Sequence, residues 1–168
     1  MVEIYLKQLV IQNLDPFYNW LVDDQVTKYS LSLFKRLNNK SSIEKWFVNL
    51  LLPNKELILG IFIKNTNELI GYAGICCLNK IGNVGEYFIF IGNKEYWGKG
   101  ISTDVTKRII EIGFSKMKLK EITLTVFEQN IAGVKSYLKA GFIETGIIKN
   151  ARCIDGEFRN KIIMSIMK

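Results

Sequence analysis

The sequence predicts an α/β (α+β) protein, a mixed central sheet of about seven strands flanked by about four helices, in the order β-α-α-β-β-β-α-β-α-β-β. Three observations carry this. Short runs of period-two alternation recur along the chain, separated by segments whose apolar residues return at helical spacing. Asp155-Gly156 stands between the last two strand-like runs and is the strongest hairpin signal present. Hairpins and helical crossovers both occur, so the sheet is expected to be mixed rather than wholly parallel.

The elements follow in order. Glu3 to Val10 alternates, with Ile4, Leu6 and Leu9 apolar, and reads as a first strand. Asn13 to Val22 carries Leu14, Phe17, Tyr18 and Leu21 at helical spacing, with Pro16 early enough to be tolerated. Thr27 to Lys40 is irregular. Ser41-Ser42-x-Glu44 has the form of a capping box and opens a second helix through Leu51, stopped by Pro53. Three strands are expected over Glu56 to Lys64, Glu68 to Leu78 and Val84 to Gly92, with Asn65-Thr66-Asn67 turning between the first two. Thr103 to Phe114 returns to helical period. Glu121 to Glu128 alternates. Asn130 to Ala140 is a short helix closed by Gly141, which suits a left-handed cap. Ile143 to Ile154 and Glu157 to Met167 complete the sheet.

At 168 residues the chain is expected to be one domain, 1–168, large enough for a real core. Its apolar content of 48% and charged content of 23% exclude a disordered class. The opening residues lack the basic start and apolar run of a secretory signal, and no apolar run is long enough to cross a bilayer. The three cysteines, with Cys76 and Cys77 adjacent, read as free thiols in a reducing compartment, so a cytoplasmic location is expected. Without histidine, a zinc site would need these thiols and carboxylates, and no metal is expected. For the same reason the general base must be a carboxylate, a relayed water, or nothing at all. The net charge of +7 favours anionic partners, yet the basic residues are scattered rather than run together, so nucleic acid is not the favoured partner.

The chemistry concentrates in Tyr96-Trp97-Gly98-Lys99-Gly100-Ile101-Ser102-Thr103, between a strand and a helix. Gly98 and Gly100 remove side chains where backbone must approach a ligand. The helix that follows turns its free amides and positive dipole end toward the loop, which suits phosphate oxygens. A dinucleotide fingerprint and a Walker loop both fail to match. Asn130 opens the next helix and Tyr137 lies seven residues on, close to two turns, so both project from one side.

With these two motifs in order, the chain resembles the GNAT acetyltransferase superfamily over essentially its whole length. It looks nearest to the branch of ribosomal-protein alanine, spermidine and amino-sugar acetyltransferases. The family loop is Gln/Arg-x-x-Gly-x-Gly/Ala. Trp97 stands in the Gln/Arg place, a departure, while Gly100 and Ser102 take the later small positions. The resemblance implies a GNAT fold and acetyl-coenzyme A as donor. It implies that Ile91 and Gly92 bond the pantetheine arm through their backbone, that Trp97, Gly98, Lys99, Gly100, Ile101, Ser102 and Thr103 form the pyrophosphate loop, and that Asn130 bonds near the pantetheine. Tyr137 would be the general acid that protonates the departing thiolate, and Glu86 the candidate base for the attacking amine, with Glu128 a weaker second.

The function expected is N-acetyl transfer to a primary amine by direct attack. An amino sugar or a protein N-terminus suits the basic surface better than a polyamine, since no acidic cluster is visible in the sequence. A non-catalytic acyl-coenzyme A-binding domain and a basic nucleic-acid-binding module are the alternatives. The oligomeric state is open, with a homodimer as one expectation.

Overall fold

Strands β1 (Ile4–Lys7) and β2 (Leu57–Ile63) pair antiparallel, Ile4 opposite Ile63, and begin a seven-stranded sheet. The remaining strands are β3 (Leu69–Asn79), β4 (Val84–Ile91), β5 (Glu121–Phe127), β6 (Ile143–Ile154) and β7 (Glu157–Met167), in the spatial order β1-β2-β3-β4-β5-β7-β6. The helices are α1 (Asp15–Val22), α2 (Asp24–Thr27), α3 (Lys40–Leu50), α4 (Ile101–Ser115) and α5 (Ile131–Ala140). The computed structural model describes residues 2–30, 34, 36–52, 56–79, 81, 83–154 and 157–168, without the side chains of 77, 78 and 152–154. Pro53, the Asp155-Gly156 turn and the Cys77 side chain lie outside the described residues.

The sheet is mixed, as expected. β4 and β5 are parallel, and their ladder covers Val84–Glu86 against Glu121–Thr123. β7 lies antiparallel between β5 and β6, with Leu124 opposite Met164 and Ile154 opposite Glu157. The last two strands take the expected bounds, and Asn67 adopts a positive φ of 58° in the turn between β2 and β3.

Two expectations at the N-terminal side shift. The cap of α3 is Asn39, whose side chain accepts from the Ser42 N–H at 2.9 Å while Ser42 answers the Asn39 backbone. Glu44, expected to close a box with Ser41, instead accepts from the Tyr18 hydroxyl at 2.6 Å. A short helix not expected from the sequence, α2, precedes the irregular stretch and ends on its first residue, Thr27, because Asp23 accepts from the Gln25 and Val26 amides and starts one more helical turn. Among the described residues the helices number five, close to the four or so expected.

The chain divides into two units, Met1–Gly74 with Ile89–Ile101, and Ile75–Phe88 with Ser102–Lys168. The first is built on aromatic packing. Phe17 is fully buried and meets Trp20, Trp46, Phe47 and Tyr72 at centroid distances of 4.9 to 5.7 Å. Trp20, Phe34 and Trp46 are thus mainly core. The second unit packs the buried face of α4, Val105, Thr106, Ile109 and Ile110, with Ile122, Leu124 and Met164 also buried. That face recurs at helical spacing and removes apolar surface worth roughly 25 cal/mol per Å².

Candidate active site

In the first unit the segment after β4 is held by its own side chains. Asn93 caps a 3-10 turn, Lys94–Tyr96, by accepting from the Glu95 N–H at 3.0 Å. Glu68 accepts from the Asn93 amide at 2.7 Å and from the Tyr96 hydroxyl at 2.8 Å, which raises the Tyr96 phenol above its ordinary pKa. Trp97 donates its indole N–H to the Ile91 carbonyl at 2.9 Å. The departure at the Gln/Arg position therefore has a structural use: it closes the loop onto the end of β4. It also occupies one lone pair of a group expected to bond pantetheine.

Gly92 is used differently from its expected role. Its N–H donates to the Ile70 carbonyl at 2.9 Å, so only its carbonyl remains for a ligand. A Cβ there would stand 2.0 Å from the Trp20 ring, so the missing side chain serves close packing. Gly98 and Gly100 have φ of 72° and 79°, and an added Cβ on either would meet nothing within 4 Å. Conformation, not crowding, selects glycine at both, and the space above their backbone is open. Lys99 is exposed, its ammonium 5.3 Å from the Tyr96 ring centroid. Ile101, 3% exposed, plugs the start of α4 into the core.

The same unit carries a cleft of about 360 Å³ lined by Asp15, Pro16, Asn19, Trp20, Glu68, Leu69 and Asn93. Two carboxylates 53 positions apart in sequence, Asp15 and Glu68, thus share one cleft.

In the second unit the first turn of α4 meets α5 through hydroxyls. Ser136 donates to Ser102 at 3.0 Å and lies 3.0 Å from the Thr103 hydroxyl. The single Ser136 proton is spent on Ser102, so Thr103 must be the donor in the second bond. Asn130 caps α5, accepting from the Gly133 N–H at 3.1 Å, which leaves its amide nitrogen for other partners. Gly141 closes the helix in the left-handed conformation, as expected.

Tyr137 is 9% exposed, and its ring lies edge-on to Tyr87 and Phe142 at 6.1 Å. Its hydroxyl has no hydrogen-bond partner among the described residues. Burial pushes its pKa up to about 12. Tyr87 is buried too and is raised well above its ordinary value, first by burial and then by the nearby Tyr137. Glu86 is half-buried on β4 opposite Thr123, without an ion pair among the described residues. Successive strand residues face opposite sides, so Glu86 points away from the face on which Tyr87 meets Tyr137. Tyr137 and the Ser102–Thr103 turn are brought together through α5; Glu86 is on the other face. Sequence reasoning missed Ser136 and the Asp15–Glu68 cleft, since neither belongs to a local pattern.

Comparison with known proteins agrees with this architecture. The model of the acetyltransferase (GNAT) domain matches residues 3–143. An N-acetyltransferase of Bacillus subtilis, YoaA, itself uncharacterised, is 26% identical over 98% of this chain and 93% of its own. The spermidine N(1)-acetyltransferase of Escherichia coli K12 is 31% identical over 60% of this chain and 54% of its own. The solved spermidine N-acetyltransferase of Vibrio cholerae, in complex with CoA and spermine, superposes with a TM-score of 0.85 at 22% identity, covering 98% and 95% of the two chains. The chain belongs to the GNAT acetyltransferase family. It is an acetyl-CoA-dependent N-acetyltransferase, and the open, positive-φ backbone at Gly98 and Gly100 leading into a helix N-terminus fits the pyrophosphate of that donor.

Proposed function

We propose that this chain acetylates a primary amine of a polyamine of the spermidine class by direct attack, with Tyr137 as the general acid. One observation carries the chemistry: a buried phenol on α5 keeps its proton and spends it on no neighbour among the described residues. Acetyl-CoA supplies an activated thioester when bound. Gly98 to Thr103 would hold its pyrophosphate through main-chain amides, the Ile91 and Gly92 carbonyls would face its pantetheine arm, and the Asn130 amide would add a donor.

Tyr137 holds its proton at neutral pH, because its pKa of about 12 is far above ambient. Delivery to a thiolate with an ordinary pKa of about 8.5 would be uphill. Burial raises a thiolate as it raises a phenolate, so the same apolar surroundings narrow the gap. Glu86, which carries no ion pair among the described residues, faces away from Tyr137, so it is proposed to take the amine's proton only through a relaying water.

Two lines support a polyamine over the amino sugar or protein N-terminus first expected. A spermidine N(1)-acetyltransferase is a relative at 31% identity. The expectation against cationic acceptors rested on a missing acidic cluster, whereas Asp15 and Glu68 line one cleft beside Trp20; Glu68 is already bonded to Asn93 and Tyr96, so Asp15 is the carboxylate proposed to meet an ammonium group there. The test is thiol release from acetyl-CoA with spermidine, spermine, glucosamine and an N-terminal alanyl peptide. Saturable turnover of the polyamines supports the reading. Turnover of the sugar or peptide alone overturns the acceptor, and failure to bind acetyl-CoA overturns the chemistry.

A further inference from the structure

Beside Tyr137 stands a second buried phenol that acetyl transfer does not use. Tyr87, on β4, is 3% exposed, and its hydroxyl lies 2.9 Å from the Thr106 hydroxyl. Thr106 is fully buried and donates to the Ser102 carbonyl at 2.6 Å. A carbonyl only accepts, so the single Thr106 proton is spent there and Tyr87 must be the donor to Thr106. Tyr87 therefore has no proton to offer a ligand. Of the two phenols packed edge to face, Tyr137 alone keeps one.

We propose that Tyr87 is a positioning residue for the acid Tyr137, its ring fixed by the Thr106 hydroxyl and bracing the edge of the acid's ring; this rests on Tyr137 being that acid. Among the described residues the Tyr137 hydroxyl has no partner to fix its direction, so packing holds the ring, against Tyr87 and Phe142 among others, these two 6.2 Å apart. The hydrogen-bonded chain Tyr87–Thr106–Ser102 ends in the first turn of α4. The brace on the acid is thereby hydrogen-bonded to the first turn of α4. Misplacement of a reacting group by about 1 Å can cost on the order of 100-fold in rate.

The test is steady-state kinetics of Tyr87→Phe, Thr106→Val and Thr106→Ser, alone and combined with Tyr137→Phe. Tyr87→Phe and Thr106→Val are expected to lower kcat by roughly 10-fold with both KM values within about 2-fold of the parent. Thr106→Ser, which keeps the hydroxyl, should restore at least half of the rate. On the Tyr137→Phe background, Tyr87→Phe should have no further effect, because it acts through the missing hydroxyl. Additive losses in the double variant, or Thr106→Ser as slow as Thr106→Val, would overturn the proposal while leaving the acid in place. An unchanged kcat in Tyr137→Phe alone would remove the acid and the brace together. Should Tyr87→Phe fail to fold, the Val and Ser pair at Thr106 decides alone.

Discussion

Replacing Tyr137 by phenylalanine should make the protein more stable and far less active. The phenol is 9% exposed, and its oxygen has no hydrogen-bond partner among the described residues. A buried polar group left unpaired costs about 1–3 kcal/mol, and deleting it relieves part of that cost. The ring contacts with Tyr87 and Phe142 at 6.1 Å survive in phenylalanine, so little packing is lost. A gain of up to about 1 kcal/mol corresponds to a Tm higher by roughly 2–4 °C for a chain of this length. Loss of a general acid should meanwhile lower kcat by at least about 100-fold. The KM for acetyl-CoA should change by less than about 2-fold, since the hydroxyl acts on the departing sulfur. Thermal melting and thiol-release kinetics on the same preparation measure both. A Tm lower by several degrees with kcat unaltered would refute the reasoning, for it would mean that the hydroxyl bonds within the fold and serves structure.

Three further outcomes are expected. Gly100→Val meets no atom within 4 Å but forces a β-branched residue to φ near 79°; calorimetry should find acetyl-CoA affinity lower by about 10-fold or more, whereas unchanged affinity would move the pyrophosphate elsewhere. Gly92→Ala drives a Cβ to 2.0 Å from the Trp20 ring, and urea unfolding should show a loss of about 3 kcal/mol; a loss below about 0.5 kcal/mol would contradict the packing. Below pH 10 the Tyr137 phenol is protonated in folded and unfolded chains alike. As pH rises from about 10 to about 12 only the unfolded chain releases this proton, so stability should fall by on the order of 2–3 kcal/mol. Unfolding at pH 9 to 12 checks this, and an equal slope in Tyr137→Phe would assign the effect to other groups, Tyr87 first.

Much of the frame was determined by the sequence alone, where local signals agree with tertiary context. β6 and β7 are two runs set apart by the Asp155-Gly156 hairpin signal, and their inner bounds follow from it. Gly98, Gly100, Asn130 and Gly141 are legible because positive φ and helix capping are local demands that few residues meet. The Asn39 cap was legible in kind but misplaced, since Ser41-x-x-Glu44 satisfies the same local rule; only the Tyr18 hydroxyl, 26 residues away, decides what Glu44 does.

What only the tertiary structure decided involves residues distant in sequence. The insertion of β7 between β5 and β6 is a matter of sheet pairing, which no window of sequence contains. Asp15 and Glu68 carry no acidic run, yet the fold sets them in the lining of one cleft. Trp97 is a departure in sequence, and only the fold gives it a use, its indole N–H donating to the Ile91 carbonyl. The different roles proposed for Tyr87 and Tyr137 turn on one proton of Thr106, and a proton's direction is set by which acceptors surround it in the folded chain.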